Sequence, residues 1–149
     1  MHTAFLKPAG FKKTGGTFRR SHPTHTELFN IQSSAWNGPW GRSFYVNCGL
    51  TFEGLPMEHP GNYFAGTQWA DRIESVVKAA PSSRDYTEGD VDEVLAGVAR
   101  DILQASVTLA GSLDHYRQKY LELVERMNVL KAGPRPNNSF KPKPLRGSA

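Results

Sequence analysis

Phe44-Tyr45-Val46-Asn47-Cys48-Gly49-Leu50-Thr51-Phe52 decides how this sequence folds. Every even position is apolar, and Tyr, Asn, Gly and Thr alternate with them. Successive side chains of a β-strand point to opposite faces. Strict period two therefore predicts a strand with hydrocarbon turned to a core and the other phase turned away. A helix would scatter the same residues around its circumference.

Upstream, Thr26 to Ser34 is rich in strand formers, with Leu28, Asn30 and Gln32 on one side and Phe29 and Ile31 on the other. Ala35 to Arg42, with Asn37-Gly38 and Pro39-Trp40-Gly41, is a loop by composition. His22-Pro23-Thr24-His25 and Thr14-Gly15-Gly16-Thr17 are turns on either side of a first strand begun by Phe18-Arg19-Arg20. Thr3 to Ala9 has room only for a short helix before Pro8 and Gly10 stop it.

Downstream, the prolines and glycines of Glu53 to Gly66 predict a long surface connection. Gln68 to Ala80 is ambiguous: Trp69, Ile73, Val76, Val77 and Ala80 fit a helical stripe, while Trp69, Ile73 and Val77 also share a strand face, and periodicity favours helix. Thr87 is placed to cap a helix with Glu88 and Asp90 in its first turn and Val91, Val94, Leu95, Val98, Ile102 and Leu109 inward. Gly111-Ser112 interrupts it. A second helix carries Leu113, Tyr116, Tyr120, Leu123, Val124, Met127 and Leu130 at spacings of three and four. The expected class is α+β, a small antiparallel sheet of three to four strands with both helices packed on one face.

A chain of 149 residues suits one domain, assigned to 1–132, and 133–149 is expected to be a disordered basic tail. The net charge of +4 misleads about partners. Five of the 18 bases lie beyond Leu130, where there is no acid, so residues 1–130 carry 13 bases against 14 acids. Only Lys7, Lys12, Lys13, Arg19 and Arg20 form a local positive cluster. No apolar run reaches membrane-spanning length, the start lacks a signal-peptide pattern, and one cysteine makes no intrachain disulfide. A bacterial cytoplasmic protein with no membrane association is expected.

Leu6-Lys7-Pro8-Ala9-Gly10-Phe11-Lys12-Lys13, Thr17-Phe18, Phe29 through Asn37 and Phe44-Tyr45-Val46-Asn47 with Gly49 resemble, in order and spacing, a bacterial family known as domain of unknown function 4304. The resemblance continues at Asp71-Arg72-Ile73, but the Trp-Trp or Trp-Tyr pair usual after it is reduced to Asp85-Tyr86-Thr87. It implies a strand across Trp69 to Val77, against the periodicity, and a longer N-terminal helix than this chain carries. The strand is preferred. Separately, Arg135 to Gly147 resembles the translated recombination site that ends many integron gene-cassette reading frames. That implies a mobile gene, and a tail whose charge reflects DNA rather than a partner.

Candidate chemistry is sparse. His22 and His25 lie three apart, but zinc wants about four ligands and the sole cysteine falls on the apolar phase, so no metal and no cofactor are expected and the pair is assigned to a solvated turn. Cys48, between Val46 and Leu50, is expected to be an inert core thiol rather than a nucleophile. Gly15-Gly16 lacks the spacing and following helix of a phosphate-binding loop. No catalytic residue is assigned.

The strongest constellation is Asn30, Gln32, Tyr45 and Asn47 on the polar phases of two consecutive strands, with Trp36 and Trp40 in the loop between them and Arg72 as a fixed charge. Amides donate and accept, and tryptophans anchor interfaces. The favoured function is a non-enzymatic protein-binding module, immunity-like or adaptor. A small-molecule-binding protein or enzyme using a polar pocket on the same residues comes second. Nucleic acid held by the N-terminal cluster, with Phe11 and Phe18 stacking bases, ranks last. Self-association is left open.

Overall fold

The structure is a computed structural model and describes residues 1–39, 41–57 and 66–133. The described residues form a six-stranded antiparallel sheet and two long helices, an α+β fold with more strands than the three to four expected. The strands are β1 (Lys12–Thr14), β2 (Thr17–Ser21), β3 (His25–Ser33), β4 (Arg42–Phe52), β5 (Trp69–Arg72) and β6 (Arg84–Tyr86). Helices α1 (Val91–Ala110) and α2 (Leu113–Ala132) follow. Residues β1 to β5 lie in sequence order across the sheet, and β6 pairs with β4. The two unforeseen strands, β1 and β6, are three residues each, too short to show a period.

Strand β4 organises everything. Along one edge it pairs with all of β3, placing Asn30 opposite Asn47 and Gln32 opposite Tyr45. Its other edge is shared, β6 taking Arg42–Phe44 and β5 taking Asn47–Leu50. Strand β5 leaves that edge after Arg72, short of the stretch that β6 occupies. The chain turns there in a 3-10 turn, Ile73–Ser75, that drives Ile73 into the core. The Gln68–Ala80 segment is thus neither the helix that its periodicity favours nor the longer strand that the resemblance implied.

The even phase of β4 is buried as its alternation demands: Phe44, Val46, Cys48, Leu50 and Phe52 join Phe18, Phe29, Leu6, Phe11 and Ile73 in one cluster. Helix α1 closes that face with Val98, Ala99, Ile102, Ala105 and Leu109. Fully burying each large side chain is worth about 1.5–3 kcal/mol, so this face dominates stability. Arg84 of β6 pairs with Asp101 of α1 and ties the sheet edge to the helix.

Two helix expectations need correction. Helix α1 begins at Val91 rather than just after Thr87. Asp90 Oδ1 accepts from the Thr87 amide at 2.6 Å, so Thr87 to Asp90 form a side-chain-closed turn that precedes the helix instead of its first turn. The two helices also share the work of covering the sheet unequally, α2 adding only Tyr120 to the core cluster with Leu113, Tyr116 and Val124 packed against it. They are bent by 76° at Gly111-Ser112, and α2 buries only Tyr120, whose hydroxyl donates to the Pro56 carbonyl at 2.6 Å. Tyr116 packs on Trp69 of β5, ring centroids 4.1 Å apart. Among the described residues no single helix is long and apolar enough to cross a membrane. The central part of the Glu53–Gly66 connection, residues 58–65, and the expected disordered tail, 134–149, lie outside the described residues.

Candidate functional site

On the odd phase of β4 the register assembles a directional polar cluster. Asn47 is wholly buried, 0% exposed, between Asn30 on one neighbour and Arg72 on the other. Its Nδ2 donates to Gln32 Oε1 at 3.1 Å and, more distantly, to Asn30 Oδ1 at 3.5 Å. Its Oδ1 accepts from Arg72 Nη1 at 2.8 Å. Asn30 in turn donates to Thr17 Oγ1 of β2 at 3.0 Å. The Arg72 guanidinium lies over the Tyr45 ring, 4.3 Å from its centroid, where the negative face of the ring attracts it.

Four strands thus contribute to one amide–guanidinium network with Asn47 at its hub. Gln32 stands exposed, and Tyr45, Asn30 and Arg72 are half-buried. Such a surface can donate from Arg72 and both donate and accept through Gln32 and the Tyr45 hydroxyl.

Trp36 is not part of that network. It is 93% exposed and lines a separate surface cavity of about 440 Å³ with Arg42, Asp85, Tyr86 and Asp90. Asn37 pins the loop that carries it, accepting from the Ser43 amide at 2.7 Å and donating to the Ser43 carbonyl at 3.0 Å. Trp40 lies outside the described residues.

The structure also brings together residues that the sequence reading left apart. Glu27 sits on the core-facing phase of β3, 2% exposed, opposite Leu50. Its Oε1 accepts from Arg20 Nε at 2.6 Å and lies 2.6 Å from His22 Nε2. Arg20 also donates to the Ala9 carbonyl at 2.9 Å and to the Ser106 hydroxyl, and stacks over Phe11. Burial alone would push the Glu27 carboxyl up, but hydrogen bonds from Ser106, His22 and Arg20 outweigh it and hold the group below its ordinary range. His25 is buried rather than in a solvated turn, and burial, then the neighbouring His22, lower its affinity for a proton. The signal was legible: Arg20 and Glu27 are charges on the same strand phases as Phe18 and Phe29.

His22, His25 and Glu27 offer ligand atoms within 4.8 Å of one another. Their geometry suits an ion pair better than a metal. The two imidazoles are stacked, centroids 4.4 Å apart and planes within 12°. A ring-bound metal lies in the plane of its ring, and two near-parallel planes leave no shared point between the rings. The carboxylate, moreover, is already neutralised by Arg20.

Cys48 is buried, with burial and then Asp71 pushing its thiol far up from the ordinary range, as an inert core thiol requires. Phe11 and Phe18 are buried too, and Arg20 points inward, so the N-terminal cluster presents Lys7, Lys12, Lys13 and Arg19 without those rings.

A family model described as a domain of unknown function, DUF4304, matches residues 2–108. The chain belongs to the DUF4304 family. No curated protein and no solved structure matches it. The matched span holds all six strands, and with them the whole amide–guanidinium network, together with nearly all of α1. Helix α2 lies beyond the DUF4304 match.

Proposed function

We propose that this DUF4304 domain is a non-enzymatic protein-binding module, of the immunity-like or adaptor kind, that meets its partner through Gln32, Tyr45 and Arg72. The observation that carries the reading is the buried Asn47 hub, which fixes Gln32 and Arg72 by hydrogen bonds before any partner arrives. Preorganised donors lose less entropy on binding than free ones. A wholly buried asparagine is also a costly way to stabilise a sheet unless it holds something in place.

The test is capture on immobilised full-length protein beside an Arg72→Ala bait, followed by titration of whatever the first bait retains. A partner bound at micromolar strength by the unmodified chain and weakened about tenfold or more by Arg72→Ala is expected. Equal retention by the two baits, or no retention, contradicts the reading.

A second reading, small-molecule binding, is favoured by the cavity lined by Trp36, Arg42, Asp85 and Asp90. A ligand-screening melt checks it: a stabiliser whose effect vanishes in Trp36→Ala supports the reading. Nucleic-acid binding stands last, because Phe11 and Phe18 are committed to the core. We further propose a bacterial cytoplasmic setting and an integron-cassette origin, supported respectively by the buried thiol of Cys48 and by the Arg135 to Gly147 sequence.

A further inference from the structure

Helix α2 carries a seven-residue repeat: Leu113, Tyr120 and Met127 at one seam position and Tyr116, Leu123 and Leu130 at the other. Its first half is spent on the domain, Tyr116 against Trp69 and Tyr120 fully buried. Among the described residues, its second half touches the domain only through Val124, which packs against the edge of the core. Leu123 is 39% and Leu130 70% exposed, with Val124 and Met127 half-buried between them.

The charges of α2 are sorted about that seam. At 3.6 residues per turn, Arg117, Lys119, Arg126 and Lys131 all lie within about 100° of Met127, and Asp114, Glu122 and Glu125 at about 140° or more. The apolar stripe is therefore edged by cations, with the acids on the helix back.

We propose that the C-terminal half of α2 is a docking seam for an acidic amphipathic helix of another protein. Leu123, Met127 and Leu130 provide the i, i+4, i+7 anchors of a helix-on-helix contact, and Lys119, Arg126 and Lys131 select acidic flanks. A second copy of α2 fits poorly, since either orientation sets basic flank against basic flank. The 134–149 segment is excluded by sign as well, carrying Arg135, Lys141, Lys143 and Arg146 and no acid. A lipid surface is disfavoured because the free stripe, Leu123 to Leu130, is about two turns long and has no Trp or Phe to seat in an interface.

The probe is a fluorescein-labelled synthetic peptide of three heptads with Leu at both seam positions and Glu at the flanks, titrated by anisotropy with the full chain. A matching peptide with Lys flanks is the control. We expect micromolar binding of the Glu peptide and about tenfold or weaker binding of the Lys peptide. Leu123→Ser/Leu130→Ser, which keeps every charge, is expected to weaken the Glu peptide about tenfold. Arg126→Glu, at an exposed position, is expected to weaken it several-fold and narrow the preference over the Lys peptide.

No binding of the Glu peptide overturns the proposal. So does binding that survives Leu123→Ser/Leu130→Ser, which would mean capture by loose cations elsewhere. Association with phosphatidylserine vesicles without peptide binding would assign the seam to a membrane. A dimer in sedimentation that Leu123→Ser/Leu130→Ser abolishes would assign it to a second copy.

Discussion

The two faces of β4 are held by different physics. Its even side packs Val46, Cys48 and Leu50 by area, a force with little directional demand. Its odd side holds Asn47 by named donors and acceptors on β3 and β5. A core of the first kind tolerates shape changes that conserve volume. A network of the second kind loses its geometry when its buried hub is lost, because Gln32 and Arg72 then lose the hydrogen bonds that orient them. One strand therefore supplies both the anchor of the fold and the scaffold of a surface, and the two are separable by substitution.

The largest effect expected is on the hydrocarbon side. Phe29→Ala, opposite Cys48 and fully buried, is expected to cost about 3–5 kcal/mol in denaturant unfolding. A loss under 1 kcal/mol would mean that the face is not close-packed.

The next break tests the charged intrusion into that face. Glu27→Ala strands the Arg20 guanidinium and is expected to cost about 3 kcal/mol, with part restored when Arg20→Met is added. The same cluster sets a pH response. His25 has a lowered folded-state affinity for protons, so its contribution is present above its ordinary 6.5 and fades as pH falls below that. Glu27 acts in the same direction below its ordinary 4.5. Melting temperature is expected to drop on acidification from pH 7, and His25→Gln to flatten the first part of the decline. A melting temperature that rises toward pH 5 would contradict this.

On the polar side, Asn47→Ala is expected to cost about 1–3 kcal/mol by removing its hydrogen bonds with Gln32 and Arg72, while leaving the helical circular dichroism intact. The smallest effect belongs to the loop: Trp36→Ala, nearly fully exposed, is expected to change stability by less than about 0.5 kcal/mol.

Much of this was legible before any coordinates. The alternation in Phe44–Phe52 predicted β4 and its buried phase, and Asn30, Gln32, Tyr45 and Asn47 could be grouped because two consecutive strands must share faces. Arg72 could be named with the group as a fixed charge, but its place beside Asn47 comes only from register, since nothing in the sequence sets which β4 residue it stands beside. The inward turn of Ile73 was hidden because Trp69, Ile73 and Val77 fit a strand face as well as a helical stripe, and a three-residue 3-10 turn leaves no period of its own. The grouping of Arg20, His22 and Glu27 was missed for another reason. Charge suggests solvent when residues are read singly, whereas strand phase places Arg20 and Glu27 inside, where they neutralise each other. The exposed end of α2 has the same seam spacing as its buried end, and spacing alone does not say where the domain stops.

The most direct measurement is a double-mutant cycle between Asn47 and Arg72, using Asn47→Ala, Arg72→Ala and the pair in denaturant unfolding. A preassembled network predicts a coupling of about 1 kcal/mol or more, with Arg72→Ala costing little once Asn47 is gone. Additive losses would mean that the two side chains face solvent independently, and the polar face of β4 would then hold nothing in place.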